Sequence, residues 1–316
     1  MGRVPAVSVI VPARNAEATI GRTLAALASQ DLGEPFEVIV VDNGSSDATA
    51  EIAAAADGPV SLVRGSGGRA GEARNRGAQE ARASALAFTD ADCEPEPSWL
   101  REGLAALAGA ELVQGAVRPD PAVSPGPFDR TVSAGAEVGL YETANMFVSR
   151  ETFDRVGGFE DVIEAELESP FGEDVWFGWR ARRAGARTTF AAMAVVRHAV
   201  FPRGPLAYVL ESRRRGLFCA LIARVPELRD EFLYRRWFLS PRTAAFDAAV
   251  LGCAISIRAR SPLPLVAAAP YTLTLLRRSR RWGGRGPQVA AAELAADAVG
   301  LASLARASIR ERNLVL

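Results

Sequence analysis

Three times in its first eighty residues the chain repeats one pattern: a run of apolar and β-branched residues without polar alternation, then a polar turn, then apolar residues at helical spacing. "AVSVIVPA" leads into "EATIGRTLAALASQ", where Ile20, Leu24 and Leu27 recur with the helix period. "FEVIVVDNGSSD" leads into "DATAEIAAAA", and "VSLVRGSGG" into "AGEARNRGAQEARAS". Strands apolar on both sides are covered on both sides, which is the condition of a parallel sheet between helix layers. The pattern therefore predicts the front half of a doubly wound α/β domain.

Ligands of such sheets sit beyond the carboxyl ends of the strands. Polar residues gather there: Pro12, Ala13, Arg14 and Asn15 after the first strand, Asp42, Asn43 and Gly44 after the second, and Asp90 and Asp92 after a fourth, "ALAFTDAD". In extended chain, residues two apart share a face, so Asp90 and Asp92 converge on one ligand if extension persists through "DAD". The alternative is a strand end followed by a solvated acidic turn. Gly65, Gly67 and Ala70 half-match a dinucleotide fingerprint, but in the third unit instead of the first. Gly71, Arg74, Asn75 and Gly77 more simply suggest a loop and helix start packed close to a phosphate-bearing ligand.

Further along, "PSWLREGLAALAG" reads as a capped helix and "ELVQGAV" as a strand. "RPDPAVSPGPFDRTVSAG" is too rich in Pro, Gly and Ser for core and reads as a mobile loop over the crevice. Glu173 and Asp174 open a helix in "FGEDVWFGWRARRAG", and the strand "ARTTFAAMAVVRHAV" carries His198, the chain's single histidine.

Global charge points to no partner, since 37 basic residues balance 37 acidic ones. Its distribution is uneven: residues 1–200 hold 18 basic and 29 acidic side chains, and residues 201–316 hold 19 and 8. Every fixed positive side chain is an arginine. Cys93, Cys219 and Cys253 form neither a zinc spacing nor a disulfide framework, which fits a reducing cytoplasm. The start "MGRVPAVSVIVP" lacks the segments of a secretory signal and reads as the first core strand.

Taken in order, "VSVIVPARN", "EVIVVDNGSSD", "GEARNRG", "FTDAD", "ANMFVSRETFDRVGGF" and "GEDVWFGWRARRAG" resemble the family 2 glycosyltransferases of the GT-A fold, over about the first 200 positions. The resemblance implies a catalytic domain over 1–205 that transfers a sugar from a nucleotide-diphosphate sugar to a hydroxyl of a lipid-linked, glycan or small-molecule acceptor, with inversion. It implies a divalent cation, Mg²⁺ or Mn²⁺, on the Asp-X-Asp element, with Asp92 the ligand, Asp90 its partner facing the ribose and the metal's waters, and His198 a further ligand or diphosphate contact. Hard oxygen ligands suit such ions. Asp42 resembles the base-reading aspartate, Pro12, Ala13 and Asn15 the loop around the base, and Gly71, Arg74, Asn75 and Asn145 fall in the segments that line the donor. Asp174 resembles the catalytic base, with Glu173 beside it. Arg14, Ala16 and Asn43 depart from the commonest family pattern, which leaves the base open. Helix N-terminal acids stabilised by the macrodipole are the structural alternative for Glu173 and Asp174, a satisfied core histidine the alternative for His198, and packing the expected role of Cys93.

Residues 206–316 fall outside the resemblance and read as a basic, helical appendage. "AAFDAAVLGCAISI" and "LVAAAPYTLTLL" are apolar but each is shorter than the roughly 20 residues that span a bilayer. With the adjacent "RRSRRWGGRG" they suit a cytoplasmic membrane surface at the inner face of the cell membrane. A helical subdomain packed on the catalytic domain is the alternative. Nothing resembles a nucleic-acid recognition module. A nucleotidyltransferase would need a Gly-rich basic loop after strand one, which "PARNAEAT" lacks, and a degenerate sugar-binding protein would have lost Asp92 or Asp174.

Overall fold

The computed structural model describes residues 3–65, 67–160 and 171–316. Its contacts divide the chain into two compact units, one of residues 1–124 and 131–200, the other of 125–130 and 201–316.

The first unit is built on eight strands: β1 Val7–Ala13, β2 Phe36–Asp42, β3 Val60–Arg64, β4 Ala85–Phe88, β5 Cys93–Pro95, β6 Leu112–Pro119, β7 Met146–Ser149 and β8 Thr188–His198. They lie in the order β3-β2-β1-β4-β7-β6-β8-β5. The parallel pairs β3-β2-β1-β4 are the three repeated units plus the strand before "DAD", as the apolar runs predict. β7 then inserts antiparallel between β4 and β6, and β5 pairs antiparallel with β8. The helices are α1 Ile20–Ala28, α2 Thr49–Ala54, α3 Ala70–Glu80, α4 Trp99–Leu107, α5 Arg150–Arg155 and α6 Glu173–Arg183. Ser98 makes no side-chain cap at the start of α4, so that helix begins without the cap its sequence suggests. β1 and β2 are buried almost throughout, and Ile20, Leu24 and Leu27 of α1 pack into the same core as Val9, Val11 and Val40.

β6 and β8 run parallel, but their register slips: Gly115 opposes Ala191 and the next residue, Ala116, opposes Val195. Three extra residues of β8 are thereby accommodated. Asn145, fully buried, stitches the slip: its Nδ2 donates to the carbonyls of Ala116 and Ala194 at 2.8 Å each, and its Oδ1 accepts from Trp99 Nε1 at 2.8 Å.

The second unit is helical: α7 Pro205–Glu211, α8 Leu217–Arg224, α9 Leu228–Glu231, α10 Pro241–Ala259, α11 Ala269–Arg280 and α12 Gly286–Glu311. Ser240 caps α10 in a reciprocal box with Thr243. α12 is its central helix, and its interior is charged. Buried Asp297 accepts from Arg215 Nη1 at 3.0 Å, Arg242 Nη2 at 2.6 Å and Tyr271 Oη at 2.8 Å, and buried Glu293 accepts from Arg278 Nε at 2.8 Å. Phe128, in the Pro-rich stretch that the sequence presents as a mobile loop, is buried against Val289 and Ala292. An aromatic anchor of that kind is what composition alone cannot show.

Candidate active site

Register brings the strand ends together. Ala13, Asp42 and Arg64 are the last residues of β1, β2 and β3 and stand opposite one another across the sheet. The buried Asp42 carboxylate is engaged at both oxygens, accepting the Ser45 N–H at 3.1 Å and Arg64 Nη1 at 2.9 Å. Asn43 fastens the glycine-rich loop beyond β3, its Nδ2 donating to the Gly68 carbonyl at 2.7 Å and its Oδ1 accepting the Gly67 N–H at 3.1 Å. Gly65 is required by that approach, since a Cβ there would lie 2.8 Å from Asn43 Oδ1. Ser66 of the same loop lies outside the described residues. Asn15 adopts a left-handed φ of 50° and accepts the Ser46 N–H at 2.9 Å, tying the turn after β1, with Pro12 and Ala13 at its foot, to the turn after β2. Asn43, Arg64, Gly65, Glu72, Ala73 and Arg76 line a cleft of about 320 Å³ beside Asp42.

The "DAD" stretch does not stay extended. β4 ends at Phe88, and the Cys93 N–H donates to the Asp90 carbonyl at 3.1 Å, closing a turn through Ala91 and Asp92. The two carboxylates take different partners. Asp90 Oδ1 meets Arg74 Nη2 at 2.9 Å, while Asp92 Oδ1 lies 3.6 Å from His198 Nε2.

Arg74 links the halves of the site. Only 6% of its side chain is exposed, and its second nitrogen, Nη1, meets Glu173 Oε1 at 3.2 Å. Its Nε is buried without a hydrogen-bond partner among the described residues, and its guanidinium stands 5.8 Å from the Phe159 ring. Beneath it Phe88, Phe153, Phe159 and Phe177 form a stacked and edge-to-face aromatic floor. α3 can approach because Gly71 and Gly77 have no side chain: a Cβ at Gly71 would touch Phe159, and one at Gly77 would lie 2.6 Å from Ile10. Asn75 supports the same floor, exchanging two 2.8 Å hydrogen bonds with the Phe159 backbone.

α6 starts after Gly172, whose φ of 80° is left-handed. Glu173 and Asp174 fill its first turn, where the exposed N–H groups favour carboxylates. Burial and the neighbouring Glu173 charge nonetheless push the Asp174 carboxyl well above the ordinary range; the Val175 N–H and Arg74 pull the other way, and Glu142 adds to the rise. Burial also raises Glu142. A carboxyl so placed is a stronger base than one in water.

His198 ends β8 opposite Cys93 of β5, and the Ala199 N–H donates to the Asp92 carbonyl at 2.9 Å. The histidine is 3% exposed, and its Nδ1 lies 2.7 Å from the Ala199 carbonyl, which can only accept. That contact calls for a proton on Nδ1 and turns Nε2 toward Asp92. Among the described residues, Asp92, Cys93 and His198 offer donor atoms all within 4.8 Å of one another that could hold an ion. Carboxylate oxygen and imidazole nitrogen suit Mn²⁺ or Mg²⁺. Cys93 suits neither, because burial and the charges of Asp90 and Asp92 raise its thiol far above the ordinary range.

Of the residues that the sequence nominates, the structure thus gathers Arg74, Asp90, Glu173 and Asp174 in one cluster and Asp92 with His198 in another. Asn145, nominated as a substrate contact, is instead fully buried, with its amide bonded to the Ala116 and Ala194 carbonyls and to Trp99 inside the sheet. Arg64 and Glu142 were not singled out by motif. Arg64 had a signal, since it closes its strand in register with Asp42; Glu142 had none.

The chain matches the family model described as glycosyl transferase family 2 over residues 8–158. Glycosyltransferase AglE of Haloferax volcanii is 32% identical to it over 218 residues, 64% of this chain and 70% of that protein. Validoxylamine A glucosyltransferase of Streptomyces hygroscopicus subsp. limoneus is 38% identical over 111 residues, 34% of this chain and 24% of that enzyme. Among solved structures, mannosyltransferase PcManGT from Pyrobaculum calidifontis, in complex with GDP-Man and Mn²⁺, aligns with a TM-score of 0.59 at 21% identity over 96% of this chain and 87% of that one.

Proposed function

Because the chain belongs to glycosyl transferase family 2, and is a glycosyltransferase of GT-A fold, we propose that it moves a sugar from a nucleotide-diphosphate sugar to an acceptor hydroxyl in a cation-assisted, inverting displacement. The observation that carries this reading is Arg74, a buried cation bonded at once to Asp90 of the turn after β4 and to Glu173 beside Asp174. The Asp-X-Asp turn and the raised carboxyl are thereby held as one constellation.

In this reading the donor's nucleoside occupies the cleft beside Asp42 and its diphosphate lies over the turn at Asp92. Asp92 and His198 would hold the cation, which neutralises charge on the departing diphosphate. Asp174 takes the acceptor's proton as the new C–O bond forms at the anomeric carbon and the bond to the diphosphate breaks on the opposite side; one displacement inverts the centre. Its raised pKa strengthens it for that task, and Arg74 keeps Asp90 and Glu173 from adding uncompensated charge. A nucleotide sugar with Mn²⁺ is also what the aligned mannosyltransferase holds. The three thiols, none of them in a disulfide, suit the reducing cytoplasm where such donors are made.

Thermal shift with UDP, GDP and dTDP, each with and without Mn²⁺, tests the reading. One nucleotide should stabilise the protein by about 2.7 kcal/mol at a hundred times its Kd, and only with the ion. Stabilisation that ignores Mn²⁺, or none by any nucleotide, would refute it.

A further inference from the structure

α10, the turn after it and α11 form a hairpin that is closed at its base and apolar outside. The buried face of α10 is Thr243, Phe246, Ala249 and Gly252. Phe246 packs edge-on against Tyr271 of α11 at 5.0 Å, and Gly252 receives the returning chain so closely that a Cβ would stand 2.5 Å from the Pro264 carbonyl. Beyond that base, α10 is apolar all round, so one face has no protein to cover it. Of the eighteen large apolar side chains that stand exposed among the described residues, nine fall between Val250 and Leu276. They include Leu251, Ile257, Leu263, Val266 and Leu273, and all nine are 43% to 81% exposed.

Charge identifies the occupant. From residue 248 to residue 292 the chain has seven arginines, at 258, 260, 277, 278, 280, 281 and 285, and no acidic residue. A second copy would meet this face with the same face, setting seven like charges against seven. A surface that is apolar in depth and negative at its boundary matches both features. We propose that the Val250–Arg281 hairpin docks on an anionic lipid bilayer, with its aliphatic side chains in the acyl boundary and its arginines at the headgroups.

Docking here is peripheral. α10 has 19 residues and carries Asp247, and Pro262 and Pro264 break the chain after it. One stretch among the described residues, Gly283–Glu311, is long and apolar enough to cross a membrane, but it is the helix that buries Glu293 and Asp297 against three arginines.

Flotation of the full chain with vesicles of phosphatidylcholine alone, or of equimolar phosphatidylcholine and phosphatidylglycerol, tests the proposal. The protein should float with the anionic vesicles, and high salt should release only part of it, because salt screens the arginines and not the aliphatic contacts. Arg277→Gln, Arg280→Gln and Arg281→Gln together should weaken partitioning on the order of a hundredfold, at about fivefold per arginine. Leu263→Asp with Val266→Asp, both at side chains the fold leaves outside, should abolish the salt-resistant part while circular dichroism and nucleotide-dependent thermal shift stay those of the wild type. Equal flotation of that double variant, no flotation at low salt, or a concentration-dependent dimer that the double variant dissolves would overturn it. Nucleotide binding is read separately, so this proposal and the catalytic one fail independently.

Discussion

Replacing Arg74 with Met removes the guanidinium that bridges Asp90 and Glu173 while nearly keeping the volume of the side chain. Its bonds are 2.9 and 3.2 Å long and its side chain is 6% exposed, so water cannot take its place without opening the floor of the site. Breaking a buried pair costs about 3–5 kcal/mol, because the carboxylates left behind are uncompensated. Against a typical total of about 5–15 kcal/mol this is a large share, and in a unit of some 200 residues it lowers the melting temperature by roughly 10 °C. Arg74 also draws the Asp174 carboxyl downward, so its loss should move that group further up and shift the acid limb of the transfer rate to higher pH. Urea unfolding at pH 7, with a pH profile of transfer, measures both. A variant as stable as the wild type at pH 7, or an unmoved acid limb, would show that Arg74 does not hold the constellation together.

Asp92→Ala should abolish Mn²⁺-dependent stabilisation by nucleotide, read by thermal shift; an unchanged response would place the ion elsewhere. His198→Ala should lower metal-supported turnover per folded molecule, whereas a loss confined to stability would return the histidine to a packing role. Asp174→Asn should keep nucleotide binding while transfer falls at least about 10²-fold, and in the wild type the rate should rise with pH through the raised carboxyl. Asp247→Asn should stabilise the protein near neutrality: burial and Asp297 push Asp247 up to about 6, and its Oδ2 is buried without a partner among the described residues. An ionised group with a raised pKa costs stability above its unfolded value, so the gain should be absent below about pH 4, grow to about pH 6 and then level at roughly 1 kcal/mol, discounted for half-burial. A gain that persists at pH 3 would contradict that cause.

The doubly wound front was legible because Val9–Val11 and Val38–Val41 are apolar on both faces, and only a sheet covered twice demands that. The site was legible in part for the same reason: register sets Asp42 beside Ala13, and both end their strands. For "DAD" the sequence offered an extended stretch or a strand-end turn, and the turn is what forms, because alternation holds only while a strand lasts and β4 stops at Phe88, two residues before the first carboxylate. Asn145 was misread because a motif names a segment and not the direction of each side chain. Phe128 could not be placed from composition, since proline and glycine around it describe the backbone and one buried ring decides the packing. Partners across many residues, such as Arg74 with Glu173, are set by tertiary approach, which no local period encodes.

The slip between β6 and β8 decides where the only imidazole of the chain ends up. Were all of β8 to run on in register from Ala191, Pro119 would face Val195 where it now faces His198. Because the offset is odd, the side chains beyond it would also exchange faces. A substitution that ironed the slip flat, far from any loop and with His198 itself untouched, would thus carry the imidazole away from Asp92. Loss of residues 192–194 outright would not, since Val195 would still oppose Ala116 and His198 would still oppose Pro119. The Asn145 seam, bonded to Ala116 and Ala194 on the two strands, is what holds that offset in place.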